Sequence, residues 1–406
     1  LAAGGKSLEA VYEMPFLAHA PMEPGNCTAH VTGAPGSSRR CEVWAPTQVP
    51  QRVQKSVAER LKIDPAAVTV HVTLLGGGFG RRLEDDYAVE AAQVAERVDR
   101  PVHLVWSRED DMRHDFYRPA SYHRLRGALD AGGWPLAFSH TFVSPSLAAR
   151  RSQEAADSGR DRGIEGQAVF AYALPHLRLE YVMANTPVPI GALRAVYAPQ
   201  AAYPTECFLD ELCHAGRKDP FEVRRRLLAG EREIGVEGSQ LRASRLRGVL
   251  ELAAAKAGWG SPPRKGRHRG IACFPSFSTY AAQVAEVEVA GRDIRVHRVV
   301  CAVDCGTVIH PGLLAAQVEG SVVYGLSAAL KSAITVKNGR VEQGNFGDFE
   351  VLRHYEMPRV EVYTVPSQEP PTGMGEPAVP VVAPAVANAL LAATGKAVRR
   401  LPMRLA

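Results

Sequence analysis

Glu376 is the residue best placed in this sequence to take up a proton. It stands between Gly375 and Pro377, and the following proline pushes its backbone to an extended conformation. Its surroundings are apolar and proline-rich, with no basic residue between Arg359 and Lys396. A carboxylate so shielded suits general-base chemistry, and capping of a neighbouring helix is an equally good local reading. Arg194 lies among small and apolar residues, Gly191-Ala192-Leu193-Arg194-Ala195-Val196, where a lone arginine pairs with an anion, either a ligand or a carboxylate of the fold. Gln48 and Gln317 are single amides that say nothing alone. The run Gly76-Gly77-Gly78-Phe79-Gly80-Arg81-Arg82 follows the β-branched stretch Val68-Thr69-Val70-His71-Val72. A strand running into bare backbone can present amides to an anion or to the face of a cofactor, and a simple tight loop is the competing reading. The run is neither a dinucleotide fingerprint nor a phosphate loop, since G-x-G-x-x-G and G-K-[ST] are both missing.

Other chemistries lack their residues. His19, His71, His103, His114 and His310 show no H-x-x-x-H or H-E-x-x-H spacing, and the 7 cysteines form no C-x-x-C pair. A protein-ligated metal is therefore not expected, Cys301 and Cys305 read as buried thiols, and any iron–sulfur cluster belongs on another polypeptide. No G-x-S-x-G nucleophile elbow occurs. The net charge of +5 is spread along the chain, and its densest basic run, residues 264–269, has no interleaved aromatics. That run reads as a solvated linker and not as a nucleic-acid patch. No membrane span is expected: the most apolar run, 378–393, is broken by Pro380 and Pro384 and holds Asn388. The sequence begins at Leu1 without a signal peptide, as a processed or truncated product would, or one whose front end lies elsewhere.

At 406 residues more than one core is expected. The pattern is α+β without a short repeat. Strands are expected at Leu8–Tyr12, Cys41–Ala45, Pro101–Trp106, Leu177–Met183, Gln283–Val289, Ile294–Val303 and Val360–Val365, with hairpins at residues 124–142 and, around Asn338-Gly339, at 332–342. Helical spacing marks Gln51–Leu61, Arg82–Val98, Ala202–Leu228 (broken near Asp219-Pro220), Ser244–Ala257, 311–330 and Pro384–Thr394. The loop 15–26, rich in Pro, His and Met but poor in charge, is expected to pack inside, and residues 145–167 to form a long surface loop or insertion. The stretch 258–270 is the linker candidate between a first domain, 1–257, and a second, 271–406.

Several segments, in order from end to end, resemble the molybdenum-binding subunit of the xanthine dehydrogenase/aldehyde oxidase family, nearest its isoquinoline 1-oxidoreductase branch. They are residues 19–28 (HAPMEPGNCT), 44–48 (WAPTQ), 76–82 (GGGFGRR), 110–119 (DDMRHDFYRP), 302–306 (AVDCG), 317–320 (QVEG) and 375–377 (GEP). The resemblance implies two molybdopterin-binding α+β domains and a molybdenum–molybdopterin cofactor, in its cytosine dinucleotide form, held without a protein ligand to the metal. It assigns Gly77, Gly78, Phe79 and Gly80 to the wall behind the metal, and Gln48 to a hydrogen bond with its apical oxygen. Gln317 and Gly375 fall on the cofactor side, Arg194 near the arginine of the substrate pocket, and Glu376 on the catalytic glutamate. The implied reaction oxidises an aldehyde or an N-heteroaromatic carbon with oxygen from water, Glu376 taking the proton. Electrons would leave through a partner subunit with two-iron two-sulfur clusters, then to a cytochrome or another acceptor. Twin-arginine export is common in that branch, so a periplasmic place is expected, with the cytoplasm as the alternative. Two departures stand out. The acidic substrate contact of xanthine-oxidising members falls on Leu83, beside Glu84, which argues against purines. The family's Glu-Met-Gly-Gln-Gly cofactor loop is absent, so a companion chain or an N-terminal portion is expected to complete the pocket. A non-catalytic scaffold subunit or an incomplete fragment of such a complex is the alternative.

Overall fold

A computed structural model describes residues 6–35, 38–235 and 240–405. In chain order the first half forms β1 (Ser7–Met14), β2 (Asn26–Thr32), β3 (Arg40–Ala45), α1 (Pro50–Leu61), β4 (Val68–Val72), α2 (Asp86–Val98), β5 (Val102–Val105), α3 (Arg108–Arg113), β6 (Ser121–Leu129), β7 (Pro135–Ser144), α4 (Gln153–Ser158), α5 (Arg162–Gln167) and β8 (His176–Met183). Then come α6 (Ala198–Gly216), α7 (Pro220–Leu227), α8 (Ala243–Ala257), β9 (Arg267–Ser276), β10 (Thr279–Ala290), β11 (Asp293–Asp304), α9 (Pro311–Leu330), β12 (Val336–Lys337), β13 (Arg340–Val341), β14 (Arg359–Thr364) and α10 (Val382–Thr394). The class is α+β, as expected.

Three sheets carry the molecule, in the orders β1-β6-β7-β8, β4-β3-β2-β5 and β14-β11-β10-β9. The β4-β3-β2-β5 sheet packs its alternating apolar residues Cys27, Ala29 and Val43 on Val53 and Val57 of α1 and Tyr87 and Ala91 of α2, a separate small core. The other two sheets share one continuous core, from Tyr12 of β1 through Phe208 of α6 and Leu246 of α8 to Val300 of β11 and Val386 of α10. Helix α8 lies against β10 and β11, and α10 bridges β9, β10 and α6. Arg224 of α7, fully buried, ties α6 from inside by ion pairs to Glu206 at 2.9 Å and Asp210 at 2.5 Å.

Several boundaries differ from expectation for physical reasons. The helix expected from Arg82 starts at Asp86, because Arg81–Leu83 form a 3-10 turn whose two arginines point inward and are buried. The helix expected from Ala202 starts at Ala198, since Pro199 sits in its first turn, where the missing N–H costs nothing. Residues 145–167 lie largely at the surface, as expected, but form α4 and α5 and are anchored from inside. Buried Asp161 gathers Ser146 Oγ at 2.6 Å, Tyr197 Oη at 2.8 Å and the Gly163 N–H at 2.8 Å, and this carboxylate both anchors the segment and caps α5. The stretch 258–270 runs into β9 at Arg267, where Arg267 and Arg269 face Glu286. Helix α9, not the 378–393 run, has the length and apolarity of a membrane span. Its Leu314, Val318, Val322 and Leu326 are buried, and it packs against α10 and β14. Loop 15–26 packs inside through Leu17, Ala18 and His19, and all 7 cysteines are buried and unpaired.

Candidate functional site

Strand β4 ends at Val72, and the glycine run that follows folds back on the loop after β3. Gly78 is buried against Gln48: a Cβ there would stand 2.6 Å from Gln48 Oε1. The side-chain amide of Gln48 makes no hydrogen bond with a described residue, while its backbone N–H donates to the Arg82 carbonyl at 3.0 Å. Gly77 takes a φ of 101° beside Pro21. Gly80 has a φ of 106°, and a Cβ on it would fall 1.7 Å from the Ala192 carbonyl oxygen, so only glycine permits this crossing of two backbones. Between them Phe79 is held at a φ of 54°, costly for a bulky residue, with its ring stacked on Tyr324 of α9 at 4.7 Å.

The Phe79 carbonyl accepts the Arg194 N–H at 2.8 Å, which joins the glycine turn to the loop before α6. That loop is itself strained, with Ala195 at a φ of 76° and Val196 at 48°. The Ala195 N–H donates to Glu376 Oε1 at 2.8 Å. The Arg194 guanidinium donates through Nε to the Gly375 carbonyl at 2.7 Å and through Nη2 to Gln317 Oε1 at 2.9 Å and Ser321 Oγ at 3.1 Å. Burial pulls its pKa down, partly offset by Tyr324 and Glu376. Arg194 is thus the knot of the site, tying α9 to the loop that carries Glu376. Glu376 is half-buried, and its Oε2 has no described hydrogen-bond donor.

The candidate residues Gln48, Gly77, Gly78, Phe79, Gly80, Arg194, Gln317, Gly375 and Glu376 therefore meet at one place, drawn from five distant segments. Sequence reasoning missed Ala195, whose contribution is a backbone N–H. It also missed Ser321 and Tyr324, which follow Gln317 on one face of α9 at helical spacing, a signal that was present. Glu84 does not stand in for the acidic contact absent at Leu83. It is 3% exposed and held by Arg150 at 2.5 Å, Arg52 at 3.2 Å and Arg151 at 3.4 Å. Burial alone would raise its pKa, and those three guanidinium groups outweigh it and keep the carboxyl below its usual range. Behind Phe79 and Tyr324 lies an apolar cavity of about 410 Å3 whose walls include Leu17, Met22, Phe346 and Phe349 but not Glu376.

Comparison with known proteins shows the family and the fold. Residues 2–228 match a family of molybdopterin cofactor-binding domains, and residues 242–358 match a second family of the same description. The isoquinoline 1-oxidoreductase subunit beta of Brevundimonas diminuta is 31% identical over 399 residues, covering 95% of this chain and 48% of that protein. The membrane-bound aldehyde dehydrogenase (pyrroloquinoline-quinone) of Gluconacetobacter polyoxogenes is 31% identical over 428 residues, covering 98% of this chain and 53% of that protein. The chain thus spans about half the length of these curated relatives. Among solved structures, quinoline 2-oxidoreductase from Pseudomonas putida 86 superposes with a TM-score of 0.79 at 14% identity, over 99% of this chain and 75% of that one, a likeness of fold.

Proposed function

The chain belongs to the molybdopterin cofactor-binding family, as a molybdenum-binding subunit of xanthine dehydrogenase type, and from that premise we propose that it is the larger part of the catalytic subunit of a molybdenum hydroxylase. The substrate is an aldehyde or an N-heteroaromatic ring, and the oxygen comes from water. The cofactor proposed is the cytosine dinucleotide form of molybdenum–molybdopterin. Its electrons pass to a partner subunit carrying two-iron two-sulfur clusters, and a companion chain or a further portion of the subunit completes the pocket.

The residues present fit that group. The glycine turn offers backbone with no Cβ where Gln48 closes on Gly78, and the unengaged amides of Gln48 and the Gln317 Nε2 are neutral donors suited to oxygen and pterin nitrogen. Gly77–Gly80 and Gln48 would back the group, and Gln317 and Gly375 would border it. Bound there, it would supply the two-electron redox chemistry that no side chain of this chain can perform. The chain's own part is acid–base and positional. In the net reaction a substrate C–H becomes C–OH with the oxygen of water, and two electrons and two protons leave. Glu376 Oε2 is free to accept the proton as the oxygen adds to the electron-poor carbon. Oε1, fixed by the Ala195 N–H, keeps the carboxylate from rotating away. Arg194 holds the Gly375 carbonyl and so the reach of Glu376.

The observation that carries this reading is the Ala195–Glu376 contact at 2.8 Å, beside a glycine wall to which the same loop is bonded. The test is metal analysis of the native complex, with aldehydes and N-heterocycles assayed in 18O-labelled water. One molybdenum per chain, with label in the product, is expected. Glu376→Gln should lower kcat by about 100-fold or more at unchanged molybdenum content. A complex that oxidises these substrates with a quinone and no molybdenum would overturn the proposal.

A further inference from the structure

His19 belongs to none of the contacts to Glu376, yet it is 2% exposed and stands directly behind the strained loop that makes them. Asp115 grips it twice: the His19 N–H donates to Asp115 Oδ2 at 2.6 Å, and ring Nδ1 lies 2.9 Å from Oδ1 and 3.0 Å from Oδ2. The same carboxylate accepts the Phe116 N–H at 2.7 Å and faces Arg81 Nε at 3.3 Å. Burial alone would raise the Asp115 pKa, but His19 and Arg81 hold it below its ordinary value, so the anchor is a carboxylate and the ring cannot swing. The far nitrogen, Nε2, then reaches the Ala192 carbonyl at 3.1 Å. A Cβ on Gly80 would stand 3.2 Å from this nitrogen, so the ring fills the space that the glycine leaves.

Ala192 is three residues before Ala195. Between the Gly191 N–H, bonded to the Tyr117 carbonyl at 2.9 Å, and the Arg194 N–H, bonded to Phe79, the described contacts to the Ala192 peptide are the bare backbone of Gly80 and the His19 ring. Left-handed conformations at Ala195 and Val196 persist only where the surroundings over-determine them. We propose that His19, gripped by Asp115, is a positioning residue: it holds the Ala192 carbonyl, and with it the loop whose Ala195 N–H orients the proton-accepting carboxylate of Glu376. The catalytic part of this inference rests on the function proposed above, and the mechanical part does not.

The experiment separates the two. In the purified full chain, hydrogen–deuterium exchange of peptides covering residues 190–197 is compared for the wild type, His19→Leu and His19→Gln, whose amide reaches as far as the imidazole. Exchange is expected to be about tenfold faster in the leucine variant and to return to the wild-type rate in the glutamine variant, with peptides of α8 unchanged. In the native complex the leucine variant should lose about tenfold in kcat with little change in KM at equal molybdenum content, and glutamine should restore it. If the leucine variant does not fold, His19→Asn, too short to reach Ala192 but still able to meet Asp115, takes its place with the same reading. Unchanged exchange over residues 190–197, or a loss that glutamine does not rescue, overturns the inference. Faster exchange in a complex that lacks molybdenum sinks the functional reading and leaves the positioning role standing.

Discussion

Acidification should weaken this fold through one buried pair of histidines. His123 of β6 and His140 of β7 lie on the inner face of their sheet, 0% and 6% exposed, with His123 Nδ1 and His140 Nε2 2.9 Å apart and both rings against Phe142. Burial pushes the His140 pKa down from 6.5 to about 4, and burial with His140 and Arg118 holds that of His123 well below its ordinary value. The unfolded chain therefore binds protons that the folded chain refuses, and the His140 contribution falls as pH drops from about 6.5 toward 4 and is constant below. With a folded pKa of about 4 and an unfolded value of about 6.5, His140 alone removes about 2 kcal/mol between pH 7.5 and pH 5. His140→Gln keeps a hydrogen-bonding side chain and abolishes the titration. Urea unfolding of the wild type and the variant at both pH values is the assay. The wild type should lose about 2 kcal/mol more than the variant on going to pH 5. Each protein serves as its own reference, so the fixed cost of the substitution cancels. Equal losses in both proteins would refute the reasoning, because they would mean that the pair takes up its protons without unfolding.

Other substitutions test the site and the core. Gly80→Ala must displace a carbonyl that would lie 1.7 Å from the new Cβ, at a φ of 106°; urea unfolding should show a loss of about 2 kcal/mol or more, and metal analysis a fall in bound molybdenum. Arg194→Lys keeps the charge but not the fork that spans Gly375, Gln317 and Ser321; kcat/KM should drop by about 10-fold or more while the thermal midpoint moves little. Arg224→Met leaves Glu206 and Asp210 buried without their cation, and urea unfolding should report about 3–5 kcal/mol of lost stability.

Periodicity was a good guide wherever one face of an element is buried. Helix α1 was legible from Val53, Val57 and Leu61, and α9 from Leu314, Val318 and Val322, because burial of a single stripe forces the spacing. It failed where polar residues turn inward: Arg81 and Arg82 close a turn, and Asp161 anchors a segment that reads as solvent-exposed, since a carboxylate or guanidinium is tolerated inside only when donors or acceptors from elsewhere satisfy it.

The site divides in the same way. Gly76–Gly80 and the Gly375-Glu376-Pro377 triplet announce themselves locally, because bare backbone and a proline-locked carboxylate are properties of neighbours in the chain. The sequence by itself determined which chemistry was possible: a carboxylate for proton transfer, a glycine wall, lone amides, and no protein-ligated metal spacing. Only the tertiary structure decided what Arg194 and Glu84 are for. Arg194 is committed to Gly375, Gln317 and Ser321, and Glu84 to three arginines. Only the folded chain, too, could bring the Ala195 N–H to Glu376, or His19 and Asp115 behind Ala192. These contacts join residues far apart in sequence through backbone groups that every residue possesses, so no pattern of side-chain types encodes them.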